Sequence, residues 1–306
     1  SDDPIQVIQE SYDRDVTDEF IEPRVITRDG QALAPMRDGD ALICFNYRSD
    51  RMRQLVRALT ESAFSGFRVG RRPRVHIVTM TSYDRTFDVP AAFPPQSMAN
   101  IVAETVSKSG MTMFRTAETE KYAHVTYFFN GGVETPYPGE DRLLVASQKV
   151  ATYDLAPEMS ALGVTDVLCK AIEGRHHDFI LCNYANGDMV GHTGSMSATV
   201  SAVETVDRCV ARALASAEKA GARLIVTADH GNCELMIDPA TGGPHTAHTT
   251  SPVPLVIVDP AGDRPLRQGG ALCDVGPTIL HLLGLERPAE MTGNDLRQLD
   301  VTGTRA

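Results

Sequence analysis

The sequence predicts an α/β fold: a mostly parallel sheet with helices on both faces. Beyond about residue 97, short runs rich in Val, Ile and Leu alternate with helical stretches, the rhythm of parallel strands joined by crossovers. Runs at 179–184, 222–226 and 252–258 are apolar enough to be buried strands. Acids and histidines crowd against all three, as expected where an open α/β sheet binds ligands beyond its strand ends.

A chain of 306 residues has room for two ordinary domains or one large one. With 42% hydrophobic and 23% charged residues it reads as soluble and globular. No apolar run approaches the ~20 residues of a membrane span, so no membrane partner is expected. The opening Ser1-Asp2-Asp3-Pro4 is unlike a signal peptide, and a cytoplasmic protein is expected. Forty acidic against 29 basic side chains, net −11, disfavour a nucleic-acid partner, because phosphate backbones need a basic face. Six cysteines without a Cys-x-x-Cys pair argue against a zinc ribbon or a disulfide framework. Cys44 and Cys182, inside apolar runs, read as core residues, and Cys233 as buried without function.

In chain order, residues 1–20 carry a weak helical spacing, and a turn follows at Asp29-Gly30. A strand at 41–47 runs into Arg48-Ser49-Asp50-Arg51 and a helix at 52–59; a strand at 74–80 precedes a proline-rich linker at 88–95. Then come a helix at 97–109, a strand at 111–115, a charged connection at 118–122, a strand at 124–129 and a long turn at 131–139. Helices at 157–173, 198–220 and 274–283 complete the chain, the second closed by Gly221. His76, His124 and His281 sit singly in apolar context and read as core histidines; His176 and His177 read as solvated.

Chemistry concentrates at the strand ends. Asp229 and His230 stand side by side in Thr-Ala-Asp-His-Gly-Asn, residues 227–232, where Gly231 permits a sharp turn. Asp188 and His192, four apart, share one helical face, and His248 lies just before the 252–258 run. Five O and N ligands suit one or two divalent ions, and two ions about 3.5–4 Å apart are the usual arrangement for phosphoryl chemistry. The bland alternative is an N-cap Asp beside a surface His. Arg48 and Arg51 at a strand mouth could clamp a carboxylate or phosphate, or pair with Asp50. Lys121 could reach an anionic substrate, or pair with Glu118 and Glu120.

Several stretches together resemble the cofactor-independent phosphoglycerate mutase family of the alkaline phosphatase superfamily. They are Asn183-Tyr184-Ala185-Asn186, Asp188-Met189-Val190-Gly191-His192-Thr193-Gly194, the 227–232 hexapeptide and Ala247-His248-Thr249-Thr250-Ser251-Pro252. Asn46-Tyr47-Arg48-Ser49-Asp50-Arg51, Ala117-Glu118-Thr119-Glu120-Lys121-Tyr122 and Glu290-Met291-Thr292-Gly293 extend the match over nearly the whole chain. The resemblance implies an alkaline-phosphatase-like metal-binding domain over 95–306 and part of a smaller α/β phosphotransferase domain over 1–94. By similarity, Asp188, His192 and His248 hold one Mn²⁺, with Asp229 and His230 part of a second site; Mg²⁺ or Co²⁺ could replace it. Arg48 and Arg51 would bind phosphoglycerate, and Lys121 would sit near the transferred phosphoryl group. The implied activity is glycolytic interconversion of 3- and 2-phosphoglycerate through a phosphoserine, in a protein monomeric when complete. The family is longer at its N-terminus, where it carries a further Asp ligand and the nucleophilic Ser of Asn-Ser-Glu-Val-Gly-His. That motif is missing from these 306 residues. No catalytic nucleophile is nominated here, and a C-terminal part or a short form is expected. A metal-dependent phosphatase, another sugar-phosphate mutase and a non-catalytic metal-binding fragment are the alternatives.

Overall fold

The computed structural model describes residues 3–94, 98–262 and 264–297, and divides into two compact units, Ser1–Ser97 and Met98–Ala306. The expected C-terminal tail lies outside the described residues.

In the first unit, helix α1 (Pro4–Tyr12) begins where the Asp3 carboxylate accepts the Ile5 N–H at 2.8 Å, with Pro4 in the first turn. Strands β1 (Thr27–Arg28) and β2 (Gln31–Ala32) form a hairpin across Asp29 and Gly30, both at positive φ as a two-residue hairpin turn requires. Strand β3 (Ala41–Cys44) pairs in parallel with β4 (His76–Thr79), the two joined through helix α2 (Asp50–Thr60). Helix α2 lays Met52, Val56 and Leu59 against Cys44, Ile77 and Tyr83, and the Tyr83 hydroxyl donates to the Cys44 carbonyl at 2.9 Å. Cys44 is a core residue, as expected; His76 is not. Alternation along β4 buries Ile77 and Thr79 and turns His76 outward. Part of the expected linker is sheet edge, because Ala92 N–H donates to the Thr79 carbonyl at 2.8 Å and Phe93 N–H to that of Met80 at 2.9 Å.

The second unit starts with helix α3 (Val102–Lys108) and strand β5 (Met113–Glu118), buried at every residue. Helix α4 (Thr119–Ala123) follows directly and runs on as a π-helical turn, His124–Phe128. The expected connection at 118–122 and strand at 124–129 are therefore one continuous helix after the end of β5. Valine and aromatic residues in a short apolar run fit either period, and packing decides. Strand β6 (Glu140–Val145), helix α5 (Ala161–Gly174) and strand β7 (Phe179–Asn183) complete a parallel sheet of order β6-β5-β7. Helices α6 (Asn186–Gly191) and α7 (Met196–Ala220) lead to β8 (Leu224–Thr227). Strand β9 (Leu255–Val258) runs antiparallel to β8, a departure from the parallel pattern, and α8 (Val275–Leu282) is the last helix among the described residues.

One core cluster of this unit lies where Leu168, Ile172, Ala213 and Ala217 of α5 and α7 meet Ile180 and Cys182 of β7. Small residues on the buried stripe of α7 let it sit close to its neighbours, and Gly221 at φ 67° closes it. Buried charge is handled locally. The Arg115 guanidinium lies 4.3 Å from the Phe129 ring centre and 4.0 Å from Glu140, and burial lowers its pKa to about 10. His281 is exposed and bonded to Asp295 at 2.5 Å, and His124 is only half-buried, so neither is a core histidine. His177 meets Asp141 at 2.8 Å instead of standing in solvent alone. No described helix is long and apolar enough to cross a membrane.

Candidate metal centre

Three chain segments deliver the polar cluster. Strand β7 breaks into α6, whose single turn stacks Asp188 above His192. Strand β8 ends at Thr227 and turns through Asp229 and His230, and the segment before β9 brings His248. Asp188 Oδ1 lies 2.9 Å from His248 Nε2, 3.1 Å from His192 Nε2 and 3.9 Å from His230 Nε2. The His192 and His248 Nε2 atoms are themselves 3.1 Å apart, and the His230 and His248 rings stack at 3.8 Å. Asp188, His230 and His248 offer ligand atoms all within 4.8 Å of one another.

Other groups aim these ligands. The Thr246 carbonyl accepts from His192 Nδ1 at 2.6 Å, which turns the Nε2 edge toward the cluster, and Gly231 O lies 3.2 Å from His230 Nδ1. Asn232, buried, donates from Nδ2 to Asp188 Oδ1 at 3.2 Å and touches the Gly191 backbone so closely that a Cβ at Gly191 would collide with it. Lys121, also buried, bonds through Nζ to Asp188 Oδ2. Burial alone would raise the Asp188 pKa, but the His192 and Lys121 hydrogen bonds outweigh it and hold the carboxyl well below its usual range. Burial, helped by His230 and His192, lowers the His248 pKa against the pull of Asp188, and favours the neutral ring that can ligate a metal. The Thr249 hydroxyl, first among several donors, draws Glu234 down to about 2.

This donor set fits a divalent cation. Ligand atoms bound to one ion at about 2.0–2.2 Å stand roughly 3 Å apart, which is how Asp188 Oδ1, His192 Nε2 and His248 Nε2 are disposed. The facing Nε2 atoms of His192 and His248 are placed as co-ligands for one ion.

Not every expected metal ligand joins them. Asp229 stands apart, 3.8 Å from His230 Nε2 and 59% exposed. Arg48 and Arg51 belong to the first unit, where Arg48 pairs with Asp50 at 3.1 Å and Arg51 is exposed at the start of α2. Lys121 pairs with Asp188, not with Glu118 or Glu120. Cys233 is half-buried, and burial raises its thiol pKa, which disfavours the thiolate. Sequence reasoning missed the roles of Asn232, Glu234, Thr246 and Thr249. Asn232 closes the 227–232 hexapeptide and could have been read from it; the other three show no signal at ligand spacing.

Comparisons with known proteins give the family. Residues 24–287 match the Metalloenzyme superfamily, to which the chain therefore belongs. Within that class it is similar to proteins named 2,3-bisphosphoglycerate-independent phosphoglycerate mutase. The protein of that name from Moorella thermoacetica is 52% identical over 294 residues, and that of Desulforudis audaxviator 54% over 293. These alignments cover 96% and 95% of this chain and 57% of each relative. A crystal structure of Leishmania mexicana phosphoglycerate mutase at low cobalt concentration superposes with a TM-score of 0.85 at 32% identity, covering 97% of this chain and 57% of that one. The alkaline-phosphatase-like α/β class expected from the sequence stands, and the chain spans a little over half the length of the relatives it matches.

Proposed function

We propose that this chain forms the metal-bearing part of an enzyme that interconverts 3-phosphoglycerate and 2-phosphoglycerate through a phosphoserine intermediate. The observation that carries the reading is the convergence of Asp188, His192, His230 and His248 from three segments, with the Lys121 ammonium on the far oxygen of Asp188. In this reading residues 95–306 are the phosphatase-like domain and 1–94 part of the phosphotransferase domain. One carboxylate with several imidazoles suits Mn²⁺, and Mg²⁺ or Co²⁺ could take its place.

Asp188, His192 and His248 would hold one ion, and His230 with Asp229 would share in a second. Bound there, divalent ions offset the charge spread over phosphoryl oxygens and favour the ionised form of an attacking hydroxyl. Asp188 needs no proton removed before it ligates, because Lys121 and His192 already hold it ionised. Lys121 places a compact cation beside the cluster, where it would steady the phosphoryl group in transfer. Arg48 and Arg51 would grip the glycerate while it turns over, Arg48 exchanging Asp50 for the substrate. The serine that accepts the phosphoryl group would come from the part of the relatives that this chain does not span.

The test measures Mn²⁺ binding by calorimetry on the 306-residue chain, and phosphoglycerate interconversion by phosphorus NMR on that chain and on one extended with the relatives' remaining segment. Mn²⁺ binding by the chain, with interconversion only after extension, is the expected result. Failure to bind Mn²⁺, or faster turnover of pentose phosphates than of phosphoglycerates by the extended chain, would overturn it.

A further inference from the structure

We propose that Glu234, acting through Thr249, sets the spacing of His230 and His248 and is a positioning residue of the metal centre; the inference rests on the metal reading above. The β8–β9 ladder does not fix that spacing. Its last pair is Thr227 with Leu255, and the next pairing is the isolated bridge Gly231–Thr249. The arms between those two pairings are unequal, residues 228–230 against 250–254, so strand register passes no information to the histidines. Backbone bonding between the segments is sparse, Thr249 N–H to the Gly231 carbonyl at 2.9 Å and, further along, His245 N–H to the Met236 carbonyl at 3.0 Å, which leaves a hinge at His230 and His248.

Glu234 closes it. Its Oε1 accepts from the Thr249 hydroxyl and its Oε2 from the Asn232 N–H at 2.7 Å, so one carboxylate bridges the His230 turn and the His248 segment. The Ser251 N–H donates to Thr249 Oγ1 at 3.2 Å and orients that hydroxyl. Gly231 lies flush beneath the clasp: a Cβ there would collide with Thr249 Oγ1 and Glu234 Oε1. Hydrogen bonds to a carboxylate are the stronger kind, and a two-pronged acceptor restricts both segments at once. Asn232, whose backbone holds Glu234, reaches Asp188 with its side chain. The turn therefore ties all three ligand-bearing segments together through residues that are not ligands.

The 306-residue chain and its T249V, T249S, E234Q and D188N variants would be titrated with Mn²⁺ by calorimetry and with Co²⁺ by visible absorption, alongside melting of the metal-free forms. T249V and E234Q are expected to weaken Mn²⁺ binding about ten- to a hundredfold and to alter the Co²⁺ spectrum, while T249S stays within about twofold of the unchanged chain. Unchanged affinity and spectrum in T249V, or equal losses in T249S and T249V, would overturn the inference, as would a lowered melting point with unaltered binding. Should T249V fail to fold, E234Q, nearly the same shape, decides the matter. D188N reports separately: unchanged binding there removes the metal reading itself.

Discussion

Asp188 and Arg48 are both charged side chains at strand ends, and the fold treats them differently. Both oxygens of Asp188 are engaged, Oδ2 by buried Lys121 and Oδ1 by His192, His248 and Asn232. Arg48, with 54% of its side chain exposed, has the neighbouring Asp50 as its partner, itself 39% exposed. A buried pair left half-empty costs several kcal/mol, whereas an exposed pair contributes little either way. The Asp188 cluster is thus fixed by folding, whereas the Arg48–Asp50 pair is held only loosely.

The sharpest way to break that contrast is K121M, which leaves Asp188 buried with its main cation gone. Metal-free chain should lose about 3 kcal/mol in urea unfolding, and a loss below about 1 kcal/mol would mean that the pair is solvated. Next comes D188N, expected to weaken Mn²⁺ at least about a hundredfold by calorimetry, because the one atom shared by the cluster loses its charge. E140Q probes buried charge away from the site. Burial raises the pKa of Glu140, but Asn130, Arg142 and the Tyr137 N–H outweigh it and hold the folded value below the ordinary one. Its contribution is present above the unfolded value of about 4.3 and lost as pH falls through the folded one. E140Q should therefore cost about 2 kcal/mol near neutral pH and flatten the loss of stability below about pH 4 in acid-unfolding curves. Smallest is R48A, expected to change stability by less than about 0.5 kcal/mol and to leave Mn²⁺ affinity within about twofold. A large effect from R48A would show that the two regions are not as unlike as they look.

Much of this was legible in the sequence where a residue's local period and its burial agree. The Val- and Leu-rich runs that became β7, β8 and β9 were found, and Asp188 with His192 follows from helical spacing alone. Strand β6 escaped notice because it opens Glu-Asp-Arg: Glu140 is buried by pairing with Asn130 and Arg142, and such pairing leaves no hydrophobic signature. The antiparallel turn of β9 was equally hidden, since strand direction depends on the path between strands and not on composition. His76 and His281 misled for a related reason. An apolar neighbourhood in sequence says nothing about which face of a strand or helix a residue occupies. The Glu234–Thr249 bond joins residues fifteen apart, and no local pattern marks it.

The π-helical turn at His124–Phe128 has a consequence for how this region can change. Deleting one residue and closing the turn to ordinary α geometry would leave everything after it facing nearly the same way, because a π turn is an α turn with one residue inserted. Phe129 would stay over the guanidinium of Arg115, and Asn130 against the carboxylate of Glu140. The turn can therefore give up its extra residue, whereas a one-residue change in the α-helix ahead of it would swing both groups by about 100° and strand two charges in the interior.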